Sequence, residues 1–172
     1  GRAYYTRPLD AITHFVLHYG AVIYHTTPQS VAGYQTGPNA HLDFPAVAYH
    51  FFGRWDSSSE PLKVAQLHPL EIRTWQIETA NNISWNQIAV AYYIDVPIGA
   101  EPSESQILDA MTTLLAIEKI LGRSLTLIGH RDANQTACPG HWWPTLKGRF
   151  ESVRNGLTES PPPPQTQRNT RH

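Results

Sequence analysis

The most informative segment of the chain lies near its C-terminal end and reads Ile128-Gly129-His130-Arg131-Asp132-Ala133-Asn134-Gln135-Thr136-Ala137-Cys138-Pro139-Gly140-His141-Trp142. It contains the only cysteine of the chain, eight residues after a histidine that ends an apolar run. Imidazole and thiolate are both good zinc ligands, and a single short loop joins them here. A buried free cysteine is the alternative interpretation of Cys138. The spacing from His130 and the polar loop between them favour two ligands of a catalytic zinc site.

The overall composition indicates one domain without a strong charge. The 172 residues suffice for a sizeable core, and 41% of them are apolar while only 16% are charged. With 13 basic and 14 acidic side chains, no strong field exists to gather nucleic acid or an anionic membrane, so we expect neither partner. The single cysteine excludes an intramolecular disulfide. No apolar run approaches the ~18 residues that a membrane span requires.

Strand-like and helix-like patterns alternate along the chain and predict an α/β domain with a mixed central sheet flanked by helices. Strands are predicted over 12–19, 46–52, 63–67, 87–94 and 125–128, the second and third as antiparallel partners. Helices are predicted over 27–35, over 103–121 and from about residue 144 onward. The best defined is the second, because Ser103 and Gln106 have capping-box spacing and Gly122 is an expected helix stop.

The composition changes after Gly156, where a polar segment with four consecutive prolines begins. Such a segment cannot bury enough apolar surface to form a core and tends to stay extended. We therefore predict two parts, a domain over residues 1–156 and a flexible Pro-rich tail or linker over residues 157–172.

A catalytic zinc site with one open position needs a third protein ligand, and two histidines are candidates. His18 ends a predicted buried strand, which would give it the rigidity that a ligand needs. His25 lies just before a predicted helix start and is easier to explain as a surface residue. His14 shares a strand face with His18 but lies about 13 Å away, so these two cannot bind one ion. The residues favour His18 and leave His25 open.

Four segments of the sequence, in their order along the chain, resemble those of a known family. The segments are Phe15-Val16-Leu17-His18, Ala48-Tyr49-His50-Phe51-Phe52, Ser84-Trp85-Asn86-Gln87-Ile88-Ala89-Val90, and Gly129-His130-Arg131-Asp132 continued by Thr136-Ala137-Cys138-Pro139-Gly140. They resemble the zinc-dependent N-acetylmuramoyl-L-alanine amidases of type 2, a family that includes phage endolysins and peptidoglycan recognition proteins. The resemblance extends over residues 12 to about 154, and the last segment is the most specific.

The resemblance implies one zinc ion per chain, bound by His18, His130 and Cys138. It implies hydrolysis of the amide that joins N-acetylmuramic acid to L-alanine of the peptidoglycan stem peptide. Tyr49 matches the family's catalytic tyrosine, which positions water or helps to move its proton. Thr136 matches a position that is Lys or Thr in active relatives, where a hydroxyl can donate to a developing oxyanion. Both are therefore predicted catalytic residues.

Two positions depart from the family's pattern. Near Ala91 the chain is apolar where some relatives carry a glutamate as general base, which leaves proton transfer to Tyr49. Trp75-Gln76 stands where relatives often have Trp-His. We predict that both residues bind substrate, with an amide in place of the histidine. This departure bears on substrate preference more than on hydrolysis.

The resemblance also implies a partner and a site of action, and it leaves two alternative functions open. Peptidoglycan is the expected partner, and the expected site of action is extracytoplasmic, in the bacterial cell wall, reached by secretion or after phage lysis. A peptidoglycan-binding module without hydrolytic activity is the main alternative, although such relatives typically lose the cysteine that is present here as Cys138. A zinc hydrolase for a different amide is a further alternative. We expect a monomer, and the preferred stem peptide stays open.

Overall fold

The secondary structure alternates between strands and helices in a computed structural model, which describes residues 5–36, 42, 44–54, 64–77 and 82–159. The strands are β1 (His14–Tyr19), β2 (Phe51–Gly53), β3 (Val64–Gln66), β4 (Ala89–Ile94) and β5 (Thr126–Gly129). The helices are α1 (Pro28–Thr36), α2 (Trp85–Ile88), α3 (Glu104–Leu121), α4 (His130–Ala133) and α5 (Trp143–Glu159). This order confirms the predicted α/β class.

The five strands form one mixed sheet in the order β3-β2-β4-β1-β5. Strand β1 pairs in parallel with β4 and β5, β2 pairs in parallel with β4, and only β3 is antiparallel. Parallel neighbours end at the same edge of a sheet. Because Leu17 of β1 pairs with Gly129 of β5, the next residues along each strand, His18 and His130, arrive side by side.

The main core lies on the face of the sheet that helices α3 and α5 cover. Strands β1 and β4 are buried along almost their whole length, as expected for central strands with both faces covered. The largest buried side chains between sheet and helices are Phe15, Leu17, Tyr92, Ile94, Ile107, Met111, Trp142, Trp143 and Phe150. Val16 and Ala89 point to the opposite face, where they pack against Ile77, Trp85 and Ala133. That second face carries the candidate site.

Helix α3 begins and ends as its sequence predicts. The Ser103 side chain accepts from the backbone N–H of Gln106, and the Gln106 side chain accepts from the backbone N–H of Ser103. Gly122 has φ of 67°, a left-handed conformation that glycine adopts without a Cβ penalty. The sequence predicts both ends of α3 correctly because each signal involves residues within one turn of helix.

Two predicted strands are partly wrong. The strand expected over 46–52 contains only β2, because the backbone N–H of Ala48 donates to the Gln35 side chain instead of a strand neighbour. The strand expected over 87–94 begins at Ala89, after the single turn of α2. Short apolar runs fit a buried helical turn as well as a strand, so periodicity could not separate these cases. Likewise, α4 forms inside the segment expected to be a loop.

Helix α5 continues to Glu159, three residues beyond the boundary predicted at 156. The remainder of the predicted Pro-rich tail, residues 160–172, lies outside the described residues, so the division into domain and tail stays a prediction. None of the helices in the described part of the chain is long and apolar enough to cross a membrane.

Glu118 joins three elements, and its replacement tests the packing of α5. Its carboxylate accepts from the Leu125 backbone N–H at 2.6 Å and forms an ion pair with Arg154, both partners being mostly buried. We expect Glu118→Gln to lower the free energy of unfolding by about 1–3 kcal/mol, since Arg154 loses its counter-charge. Chemical denaturation measures this. The control is Glu104→Gln, which removes the exposed ion pair with Arg149 and should change little; equal losses would contradict the prediction.

Candidate metal centre

Three potential metal ligands meet where β1 and β5 end. His18, His130 and Cys138 each offer a ligand atom, and these atoms lie within 4.8 Å of one another. The Cys138 Sγ is 3.7 Å from His18 Nδ1, and the two imidazole ring centroids are 4.7 Å apart. Two atoms bound tetrahedrally to one zinc ion are separated by roughly 3.3–3.8 Å. The cluster is therefore about the size that a single zinc ion requires.

Each ligand is positioned by a different part of the backbone. His18 is the fifth residue of β1 and is 2% exposed. His130 directly follows β5 as the first residue of α4. Cys138 returns through a loop, where the backbone N–H of Tyr19 approaches its Sγ at 3.4 Å and the Cys138 carbonyl accepts from the Arg131 N–H at 2.8 Å. The parallel pairing of β1 with β5 positions the two histidines, and the loop that follows α4 brings the Cys138 thiol to them.

Asp132 anchors the ligand loop to helix α5. Its Oδ2 accepts from the Gly129 N–H at 3.1 Å, from Trp143 Nε1 at 2.9 Å and from Lys147 Nζ at 3.3 Å. These donors hold the pKa of Asp132 below its usual value, although burial opposes them. Gly129 is needed at this contact because a Cβ there would lie 2.6 Å from Trp143 Nε1 and 2.8 Å from Pro139 Cδ. Asp132 thus connects the residue before His130 to helix α5 and holds the backbone around His130 in place.

Burial keeps the two histidines in the neutral form that binds metals. Burial lowers the pKa of His18 to about 3, with His130 adding to the shift and the hydrogen bond to Gln76 opposing it. Burial likewise lowers the pKa of His130 to about 4. Burial raises the pKa of the Cys138 thiol to about 12, against the opposing N–H of Tyr19. A thiol of this kind becomes a thiolate when a metal cation binds beside it, so the donor set fits zinc.

The two histidines that the sequence left open are separated by the fold. His18 belongs to the three-ligand cluster, whereas His25 Nδ1 lies 3.2 Å from the buried carboxylate of Asp95. Asp95 also accepts from the backbone N–H and the hydroxyl of Thr26. His25 therefore belongs to the hydrogen-bonded segment that follows β1, outside the cluster. The assignment of the three ligands itself stays a prediction.

The predicted catalytic tyrosine lies beside the cluster. The Tyr49 ring centroid is 5.3 Å from that of His18 and 5.0 Å from that of Tyr93. Burial raises the pKa of the Tyr49 hydroxyl, with Cys138 and Tyr93 adding to the shift and a hydrogen bond with Gln35 opposing it. Tyr49 is therefore protonated at neutral pH and can donate. Gln35 had no signal in the sequence, because it reaches Tyr49 only when α1 packs against the segment before β2.

The second predicted catalytic residue lies within the ligand loop. The Thr136 Oγ1 accepts from the backbone N–H of Cys138 at 3.3 Å. This contact orients the hydroxyl and uses only its acceptor capacity. The Thr136 O–H proton can still be donated to a substrate oxygen.

A cavity of about 390 Å³ opens beside Tyr49. Its walls include Gly20, Tyr24, Tyr34, Tyr49 and Tyr93, and among the described residues that line it none is charged. Tyr24 and Tyr34 are more than half exposed at its rim. The cavity can therefore accept an uncharged, partly apolar group next to the cluster.

Comparison with solved structures identifies the fold. The endolysin N-acetylmuramoyl-L-alanine amidase LysCS from Clostridium intestinale URNW matches with a TM-score of 0.61 at 18% identity, over 91% of this chain and 89% of that chain. A selenomethionine derivative of AmpD matches with a TM-score of 0.67 at 17% identity, over 87% and 89%. Drosophila PGRP-LB matches with a TM-score of 0.58 at 16% identity, over 84% and 83%. The chain has the type 2 amidase fold.

This likeness resides in the structure and is weak in the sequence. No protein-family sequence model matches the chain, and no curated protein sequence matches it significantly. The four segments quoted above nevertheless occupy β1, the approach to β2, the α2–β4 connection and the ligand loop of the type 2 amidase fold. The fold implied by the resemblance is confirmed.

The two predicted substrate-binding residues lie in different environments. Trp75 is 45% exposed, and its ring centroid is 6.2 Å from that of Tyr5. Gln76 is buried, with its Oε1 3.0 Å from His18 Nε2 and its Nε2 2.8 Å from the Ala89 carbonyl oxygen. Substrate binding by either residue stays a prediction. The contact between Gln76 and His18 has no sequence signal, since 58 residues separate the two.

Proposed function

We propose that this chain is a zinc-dependent N-acetylmuramoyl-L-alanine amidase that cleaves the amide between N-acetylmuramic acid and L-alanine of the peptidoglycan stem peptide. The observation that carries this proposal is the cluster of His18, His130 and Cys138. The cluster lies in a fold shared with proteins whose names state this amidase activity. Peptidoglycan is accordingly the proposed partner, and the bacterial cell wall is the proposed site of action.

The proposed mechanism assigns the metal to His18, His130 and Cys138, two neutral imidazoles and one thiolate. A zinc ion held there would supply Lewis-acid chemistry, to polarise the scissile carbonyl and to make water a better nucleophile at neutral pH. Neighbouring groups hold the three metal ligands in place before substrate binds. His18 is fixed by β1 and Gln76, and the loop to Cys138 is fixed by Asp132.

Two hydroxyl groups would handle protons and developing charge. Tyr49 is protonated, lies beside the His18 ring and lines the cavity, so it can orient the attacking water and move a proton toward the leaving amine. The Thr136 hydroxyl can donate to the oxygen that becomes negative as the carbonyl is attacked. Its contribution would be smaller than that of an ammonium group, because it carries no charge.

Two features around the cluster support the binding of uncharged substrate groups. The described residues that line the cavity beside Tyr49 are uncharged, and this suits an uncharged part of a muramyl peptide. The exposed Trp75 ring offers an apolar face on which a sugar or peptide group can pack. We propose that a single copy of the chain carries the complete site, since all three ligands and both hydroxyls belong to one chain.

A specific observation favours a second candidate, a peptidoglycan-binding module without hydrolytic activity. Ala91 of β4 is fully buried where some amidases carry a glutamate base, so no carboxylate is available at that position. The intact ligand set, and Cys138 above all, supports hydrolysis over binding alone.

The deciding experiment is mass spectrometry of fragments that the chain releases from purified peptidoglycan, with and without a zinc chelator. We expect free stem peptides that begin with L-alanine, lost on chelation and restored by added zinc. Intact muropeptides after long incubation would overturn the amidase. Sedimentation with the same sacculi would then show whether the chain binds peptidoglycan without cleaving it.

A further inference from the structure

We propose that Gln76 is a positioning residue that selects one tautomer of His18 and thereby raises the affinity of the cluster for zinc. This inference rests on the proposed function, because it concerns the same zinc site. It gives Gln76 a role through His18, distinct from direct contact with substrate.

The orientation of the Gln76 amide is determined by its partner in β4. The amide nitrogen lies 2.8 Å from the carbonyl oxygen of Ala89, which can only accept a hydrogen bond. The nitrogen must therefore be the atom on that side. A reversed amide would bring two carbonyl oxygens together and leave the Ala89 carbonyl without this donor.

The fixed amide in turn determines which His18 nitrogen carries the proton. The Gln76 Oε1 lies 3.0 Å from His18 Nε2 and has no hydrogen to donate. Nε2 must therefore be protonated for the hydrogen bond to form. In a neutral ring, the other nitrogen then carries the lone pair. Gln76 thus favours the tautomer with a free Nδ1.

Nδ1 is the nitrogen that faces the other ligands. It lies 3.7 Å from Cys138 Sγ, within the group of three ligand atoms. The opposite tautomer would direct an N–H group into the position of the metal. A ring already held with its lone pair toward the cluster needs neither rotation nor tautomer exchange when a metal binds.

Gln76 is itself held in place by the backbone around it. The Asn86 Oδ1 accepts from the backbone N–H groups of Gln76 and Ile77, both at 3.0 Å. The Gln76 side chain is 6% exposed, and both of its polar atoms are used within the protein. With so little of the residue exposed, a substrate has almost no access to the amide. These contacts therefore favour a role for Gln76 in holding the His18 ring over direct contact with substrate.

The test measures zinc affinity by competition with a chromophoric chelator, without peptidoglycan. We expect Gln76→Met, which is similar in size but removes the acceptor, to weaken zinc binding about 10–100-fold. Gln76→Glu keeps an oxygen that can accept from His18 Nε2 but loses the donor to the Ala89 carbonyl, so it should bind zinc more tightly than Gln76→Met and more weakly than wild type. The matched control is Gln106→Met, because Gln106 is equally buried and its amide donates to the Asp95 carbonyl, away from the cluster. Its zinc affinity should equal that of wild type.

A second measurement reads the tautomer directly. Long-range proton–nitrogen NMR spectra of the zinc-free chain should show His18 protonated at Nε2 in wild type and a mixture of tautomers in Gln76→Met. A wild-type ring protonated at Nδ1, or unchanged zinc affinity in Gln76→Met, would overturn the inference. These outcomes leave the amidase intact if wild type still binds zinc and releases stem peptides. Conversely, wild type that binds zinc with the expected tautomer yet releases no peptides would overturn the amidase alone.

Discussion

Cys138→Ala is expected to abolish zinc retention and to reduce peptidoglycan cleavage by about 10³-fold or more, because a Lewis acid contributes several kcal/mol to the barrier of amide hydrolysis. Cys138 is the only one of the three ligands that becomes anionic on binding a metal, since His18 and His130 bind as neutral imidazoles. Two imidazoles alone would retain zinc poorly. Metal analysis after dialysis, together with the rate of stem-peptide release, measures both effects.

The matched control for this variant is His25→Ala. His25 is the histidine that the sequence left open as a ligand, and the structure has it beside Asp95 instead of in the cluster. We expect His25→Ala to retain one zinc ion per chain. Cleavage by Cys138→Ala at the wild-type rate would contradict the proposed mechanism, and zinc loss in His25→Ala would contradict the ligand set.

Tyr49→Phe is expected to lower kcat by about 10²-fold or more, the range that general acid–base catalysis contributes, while zinc content stays unchanged. The substitution removes only the hydroxyl, and the ring beside His18 and Tyr93 is retained. The Tyr49 pKa is raised, so the group lost is a protonated donor. Initial rates of stem-peptide release at saturating peptidoglycan measure the effect, and metal analysis confirms the zinc content.

Tyr93→Phe provides the comparison for Tyr49→Phe. Tyr93 also lines the cavity, but its hydroxyl is 2.8 Å from that of Thr26, which itself donates to Asp95. The Tyr93 O–H is therefore the donor to Thr26, and its one proton is already used. By contrast, Tyr49 accepts from Gln35 and keeps its proton free. We expect this variant to retain most of the wild-type kcat. If both variants lose activity equally, the two hydroxyls act through the shape of the cavity, and the specific role of Tyr49 is refuted. If neither loses activity, proton transfer does not pass through Tyr49.

Local features were predicted well because they depend on residues close together along the chain. The capping box of Ser103 and Gln106, the stop at Gly122 and the apolar course of β1 all have this character. The boundaries of β2 and β4 were predicted less well. At β2 the deciding hydrogen-bond partner lies far along the chain, because the Gln35 side chain accepts from the Ala48 N–H. At β4 the short apolar run fits the turn of α2 as well as a strand.

The residues alone were enough to predict the α/β class, the order of the motifs and the proximity of His130 and Cys138 in one loop. The residues already favoured His18 over His25, and the tertiary structure is what brings His18 to this pair and His25 to Asp95. It also decided that Gln76 contacts the His18 ring and that Gln35 contacts Tyr49. The physical reason is that these contacts arise from the parallel pairing of β1 with β4 and β5 and from the packing of distant segments on one face of the sheet. Such contacts leave no periodic signal in the residues that make them.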